Sequence, residues 1–364
     1  MLVIKEITKF DDFLKLEPVW NDLLSQSDAD CPFLTFEWIY CWWENFGRNQ
    51  DMLILNITNN NETVGLVPLA ITKIKFRGVN VNAITFIANY HSNRAGFILK
   101  KNDTLFPLIL DYLVKLKYRF DLMLFDLINS ESEIGNNFER AFVENRIKLL
   151  KKKSCVSPYI AIEQDWNTYY KSRSKNMRSM IVNRTNLLNK DNNFEIVKHA
   201  CNYEQGFCDL LEISKDTWQS RANTAIASDS DSINFYQSFA SIAAKRNWLR
   251  IYVLKLNKIP IAFEYILDYK DKVFLLKVGF KEQYAKYSPG LLLLSDSIKD
   301  AFEKRKKEYD LLGESDAYKM RWTATCRPHS KYIFFNKTFS GVFLELLESK
   351  VIPILKPLKS ICAK

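Results

Sequence analysis

The sequence predicts an α/β protein: two tandem units, each a mixed sheet flanked by helices, packed as one body. Three observations lead there. At 364 residues the chain holds about two domains' worth of core. Strand-like and helix-like stretches alternate along its whole length. And LILNITNNNETVGLVPLAI and LRIYVLKLNKIPIAFEYIL repeat one pattern of strand, polar turn and strand at an offset of about 200 residues.

The elements follow in order. Residues 2–8 alternate as a strand, and 10–25 read as a helix. In CPFLTFEWIYCWWENFG, Thr35 caps a helix on which Trp38, Trp42 and Phe46 recur at helical spacing, a stripe that fits a core. Residues 52–58 and 63–71 form a hairpin through Asn59–Glu62. Strands at 81–87 and 96–99 flank the loop NYHSNRAG. A helix over 105–116, a buried strand over 121–127, a helix over 133–145 and a closing strand over 157–162 complete the first half.

The second half opens on a basic amphipathic helix over 171–190. A strand at 194–198 and helices over 203–221 and 232–246 follow. A hairpin then runs 249–256 and 259–267 around Asn257 and Lys258, and 273–280 adds a third strand. Ser288-Pro289-Gly290 reads as a helix start, with Ser as N-cap and Pro at the first position. Leu291–Lys306 is amphipathic, and 309–312 is a short buried strand. The units are expected over 1–162 and 163–338, with a helical tail over 339–364.

Composition narrows the class. The net charge of +10 suits an anionic partner or simply a solvated, lysine-rich surface. The seven cysteines, Cys31, Cys41, Cys155, Cys201, Cys208, Cys326 and Cys362, show no CxxC spacing. With only three histidines they point to reduced thiols, with no metal centre and a cytoplasmic setting. No signal-like leader and no membrane-length apolar run is evident. The tail FSGVFLELLESKVIPILKPLKSICAK has an apolar stripe and lysines. It fits packing on the body, packing on a second subunit, or peripheral membrane contact.

The stretches PFLTFEWIYCWWENFG, TVGLVPLAI, SRSKNMRSMIVNRTNLLNK, PIAFEYIL, FLLKVGFKEQYAKYSPGLLLL and YDLLGESDAYKMRW, in that order, carry a resemblance. The chain resembles GNAT-superfamily acyltransferases of the FemAB-like, CelD-like twin-GNAT branch of bacterial envelope and polysaccharide clusters. That implies an acyl donor on coenzyme A, acetyl-CoA included, and an amine acceptor, foremost an amino sugar or other glycan amine. It also implies a first unit on the acceptor side without coenzyme A and a second unit carrying the pyrophosphate loop. FemAB relatives with a similar loop use aminoacyl-tRNA, so tRNA is the second donor reading. A degenerate twin-GNAT binding protein is the non-enzymatic one.

Direct acyl transfer needs a pyrophosphate cradle, a polarised carbonyl and a proton acceptor. The expected cradle is Ser288 to Gly290 with Lys281, Lys286 and Tyr287, and the backbone of Val278 and Gly279 is expected to face the thioester. Glu264 interrupts an apolar strand and Asp310 lies beside the cofactor strand; both are candidate bases, with His91 as an alternative. The resemblance assigns Lys319 to stabilising negative charge, aided by Tyr318 and Arg321. His91, Arg94, Arg178 and Tyr318 are the expected acceptor contacts, with Ser92 in the same loop. Trp218 reads as a core residue or a sugar platform.

Overall fold

Two polar dipeptides set the register of both sheets. Asn60 and Asn61 adopt left-handed backbone (φ 48° and 67°), as do Asn257 and Lys258 (φ 51° and 66°). A left-handed pair matches the twist of the strands it joins, so each closes a two-residue hairpin, pairing Asn59 with Glu62 and Leu256 with Ile259. The computed structural model describes residues 1–102, 104–116, 119–144, 149–190, 194–217 and 226–352.

Two units result: one of residues 1–43, 47–155 and 328 onward, the other of 44–46 and 156–327. In the first, β1 (Leu2–Ile7), β2 (Gln50–Asn59), β3 (Glu62–Phe76), β4 (Val79–Phe86), β6 (Leu122–Asn129) and β13 (Cys326–Phe335) lie side by side in that order. The short β5 (Ile98–Leu99) pairs with β3. In the second, the order is β8 (Phe194–His199), β9 (Leu249–Leu256), β10 (Ile259–Tyr269), β11 (Lys272–Phe280), β12 (Glu308–Asp310) and the latter part of β7 (Leu149–Ala161). Both sheets share one pattern: antiparallel pairs except one parallel pair, β4 with β6 and β11 with β12. Each parallel pair spans three residue pairs.

The sixth strand is where the chain departs from a simple tandem. The second unit is closed by the strand with which it begins, and the first by a strand that follows the second unit. The expected boundary at 162/163 and the expected place of 328–338 therefore differ from the observed division. β13 was not expected, because Pro328 argues against a strand. β7 begins eight residues before the expected Ser157, at Leu149. Its charged run obscures it, although Lys151 and Lys152 are ion-paired to Glu139 and Glu348.

The helices α1 (Phe10–Leu14) and α2 (Glu17–Ser25) replace one expected helix. Pro18 cannot donate to Leu14, and its ring clashes with that carbonyl. In α3 (Phe36–Phe46), Thr35 accepts the Trp38 N–H, and Trp38 and Trp42 are buried. With α4 (Leu105–Lys115) and α5 (Glu133–Val143), the first unit encloses a core of Leu53, Leu69, Phe97, Ile109 and Phe138. In the second, α6 (Trp166–Lys171), α7 (Lys175–Lys190), α8 (Glu204–Lys215), α9 (Ser230–Lys245), α10 (Pro289–Glu303) and α11 (Ala317–Met320) surround the sheet. Its core includes Leu254, Ile266, Leu293, Ile298 and Trp322. Trp218 and Arg221 lie outside the described residues. A last helix, α12 (Phe339–Leu346), belongs to the first unit.

Candidate active site

The parallel contact between β11 and β12 ends almost as soon as it starts. Lys272, Val273 and Phe274 pair with Glu308, Tyr309 and Asp310, and there β12 stops. β11 runs six residues further, bent by a bulge in which Leu276 is the extra residue between the pairs Ile266–Leu275 and Tyr265–Lys277. Two strands that start together and part leave a notch whose wall is backbone.

Three side chains turn the chain away from that notch. Asp310 accepts the Leu312 N–H at 2.9 Å through one oxygen and Arg327 at 3.2 Å through the other. Arg327 also grips Glu308 at 2.8 Å. Lys319 donates to the carbonyls of Leu312 and Glu314 and pairs with Asp316, at 2.9, 3.1 and 2.9 Å. Those three contacts use all three of its N–H donors. Leu312 and Gly313 are both left-handed (φ 53° and 57°). Asp310 and Lys319, expected in catalysis, thus hold the loop.

Beyond Phe280 a 3₁₀ turn over Glu282–Tyr287 leads to α10. Ser288 precedes the helix but makes no side-chain cap, contrary to expectation; its backbone is left-handed (φ 50°) rather than extended as a capping residue requires. The first helical amides and the helix dipole still point out of the N-terminus, and no acidic residue lies in the first turn. A Cβ on Gly290 would meet only Phe280, at 3.8 Å, so a ligand has close access to backbone there. Lys286 lies 4.6 Å over the ring of the buried Tyr287. α7 packs against this turn and against α10. There Arg178 is half-buried and donates through Nε to the Arg173 carbonyl at 3.2 Å.

Each face of the sheet beside the notch holds one anomalous charge. Glu264 lies opposite Val278 on β11 and Tyr252 on β9, and is buried rather than on an exposed face. Burial pushes its carboxyl up to about 8, against a hydrogen bond from Ser297 that favours the charged form. Its Oε2 has no hydrogen-bond partner among the described residues. Ser297 also shares a 2.9 Å hydrogen bond with the buried Tyr309. Tyr318 is about two-fifths exposed; burial of its hydroxyl, then Asp316 and Glu264, raise it above the usual tyrosine range.

Lys277 faces the other side, half-buried with its ammonium 5.8 Å over the Tyr236 ring, and burial lowers it to about 8. It was missed from sequence, though FLLKVGF carries the same signal as IAFEYIL: one charge in an apolar strand. Gly279 on that side is required by packing, since a Cβ would come within 2.5 Å of the Phe263 ring. Lys281 was expected in the pyrophosphate cradle. It is buried and ion-paired with Glu212 on α8, so its charge is engaged elsewhere.

The expected acceptor loop lies in the first unit. His91, Ser92 and Arg94 are buried there; Trp38 donates to Ser92 at 3.2 Å, and Arg94 to the Asn93 carbonyl at 2.7 Å. A polar cleft of about 490 Å³ in this unit, lined in part by Asp28, Lys101, Asn136 and Arg140, includes none of the expected residues. Among the described residues no cluster of His, Cys, Asp or Glu could hold a metal ion, and no helix is long and apolar enough to cross a membrane.

A strand pair that parts beside a helix start invites comparison with known proteins, and the profile of the acetyltransferase (GNAT) domain matches residues 175–320. Those residues are similar to that domain. The matched stretch takes in the notch, the turn and α10 whole. Over the full chain the fold is that of FemX (TM-score 0.60, 10% identity, 95% of this chain and 100% of that one). It is also that of a tandem GNAT protein from the clavulanic acid biosynthesis pathway (0.53, 8%, 91% and 98%). L-PGS from Bacillus licheniformis is similar as well (0.50, 10%, 85% and 94%). No curated protein sequence matched. Residues 175–320 are thus similar to the GNAT acetyltransferase domain, and the chain as a whole has the mixed α/β fold of FemX and of the tandem GNAT protein.

Proposed function

We propose that the GNAT domain transfers an acyl group from coenzyme A to an amine. The observation that carries this is the parting of β11 from β12 directly beside the accessible start of α10. The α10 amides and Gly290 would receive the pyrophosphate, with Lys286 and Ser288 adjacent. A bound thioester would supply an acyl group activated towards amines. The β11 backbone at Val278 and Gly279 would line its carbonyl. Glu264 is the supported base: it is buried beside Val278, and one oxygen is unengaged. Its carboxylate would take a proton from the acceptor nitrogen, whose lone pair forms the C–N bond as the C–S bond breaks. The departing sulfur would take up a proton to leave as coenzyme A thiol. Asp310 and Lys319 would keep the notch open rather than touch the reacting atoms. An amino sugar of envelope or polysaccharide biosynthesis is the acceptor expected from the resemblance, and of its expected contacts Tyr318 and Arg178 lie in this unit.

The test is coenzyme A binding by calorimetry alongside turnover of acetyl-CoA with amine acceptors. Gly290→Asp puts a carboxylate at the helix start and should weaken binding at least tenfold. Glu264→Gln should bind normally but lose the rise in kcat/KM that levels off above about pH 8, where the wild-type carboxyl is ionised. Unaltered binding in the first variant and an unaltered pH profile in the second would remove the assignment.

Donation from aminoacyl-tRNA is favoured by one feature, the single glycine in the loop next to a helix with exposed Lys175 and Lys190. Retention of tRNA that falls steeply with salt, without coenzyme A binding, would select it.

A further inference from the structure

Helix α12 has two apolar faces, and among the described residues one of them is packed and the other exposed. Gly341 and Leu344 are buried, and Leu344 joins Val81, Ala83, Leu122, Ile333 and Phe335 in a small core. On the opposite side Phe339 is 92% exposed, and Val342, Phe343 and Leu346 are between 43% and 48% exposed. The spacing i, i+3, i+4, i+7 makes these four a single stripe rather than scattered residues. A stripe with two phenylalanines marks an interaction surface.

The surrounding charge says what kind. Exposed Lys337 precedes the stripe and exposed Lys350 follows it. Of the two carboxylates on this segment, Glu348 is held by Arg77 and Lys152 at 2.7 and 2.6 Å, and Glu345 is half-buried on the flank of the helix, off the stripe. The twelve residues after Ile352, PILKPLKSICAK, add three lysines and no acid. A symmetric pairing of two copies through this stripe would set Lys337 and Lys350 against each other or against themselves, like charge on like. An anionic lipid surface complements both features, taking the apolar stripe between headgroups and the lysines against phosphate.

We infer that α12 is a membrane-docking helix that holds the protein on an anionic bilayer surface through Phe339, Val342, Phe343 and Leu346. The inference stands apart from the acyl-transfer reading. Docking is peripheral: the stripe sinks to the headgroup boundary while Leu344 keeps the helix on its own sheet.

The test is cosedimentation of the full chain with vesicles of phosphatidylcholine, with and without phosphatidylglycerol. Binding should require phosphatidylglycerol and weaken as salt is raised. Phe339→Ser with Phe343→Ser should lower partitioning about tenfold or more, and Lys350→Glu should lower it less. Both phenylalanines are exposed, so an unchanged circular dichroism spectrum and Tm are expected and verify folding. No binding to anionic vesicles, or equal binding by the double variant, overturns the inference. So does a wild-type dimer by light scattering that the double variant dissociates, which would give the stripe to a second copy.

Discussion

A single charge inside an apolar strand is costly, and the chain places two such charges on opposite faces of one sheet. Glu264 was legible because IAFEYIL breaks its own pattern; that its strand is buried on both faces was not, since helix coverage is a tertiary fact. Lys277 sent the same signal from FLLKVGF. Asp310 and Lys319 were legible as residues, but their partners Arg327, Leu312 and Glu314 are brought close only by the loop, so the identity of those partners was hidden. Lys277 makes a stability prediction. Its folded pKa of about 8 lies below the ordinary 10.5. Between those values the unfolded chain keeps a proton that the folded chain has lost, so its contribution to stability rises with pH across that window. Lys277→Met should raise Tm by about 2–4 °C at pH 7, with the advantage shrinking as pH rises towards 10. A gain that stays constant between pH 7 and 10 in thermal melts would contradict the desolvation argument.

Hairpins read well because their turns are chemical: Asn-Asn and Asn-Lys accept left-handed backbone at little cost. The helix over 10–25 read poorly at one residue, Pro18, and the strand over 326–335 was lost to another, Pro328. At the level of elements the notch depends on β11 lying close to β10, and Gly279 permits that approach. Gly279→Ala would press a methyl into the Phe263 ring and to 3.1 Å from Thr217, so a loss of about 1–3 kcal/mol in denaturant unfolding is expected. Gly290→Ala, where the nearest atom is 3.8 Å away, should unfold at wild-type denaturant. Similar destabilisation of both would show that the glycines share a backbone requirement rather than differing in packing.

Across the whole molecule the doubled pattern was legible from two hairpins, whereas the closing of the first unit by a strand from beyond the second was not, since pairing between distant segments leaves no local trace. The repeated parallel pair of three residues has a consequence for how the protein tolerates change. After β11 the chain presents exposed Glu282, Gln283, Ala285 and Lys286, with Gly290 near the surface. After β4 it buries His91, Ser92, Arg94, Gly96 and Phe97. The residues that follow the joint are thus mostly exposed in one copy and mostly buried in the other. A library of single substitutions should separate the two by phenotype. Changes at 91–97 should cut the yield of folded protein, and changes at 282–290 outside Tyr287 and Pro289 should leave yield intact while altering ligand binding. Equal losses of yield in both windows would mean that the second copy's opening is sealed by its own packing too.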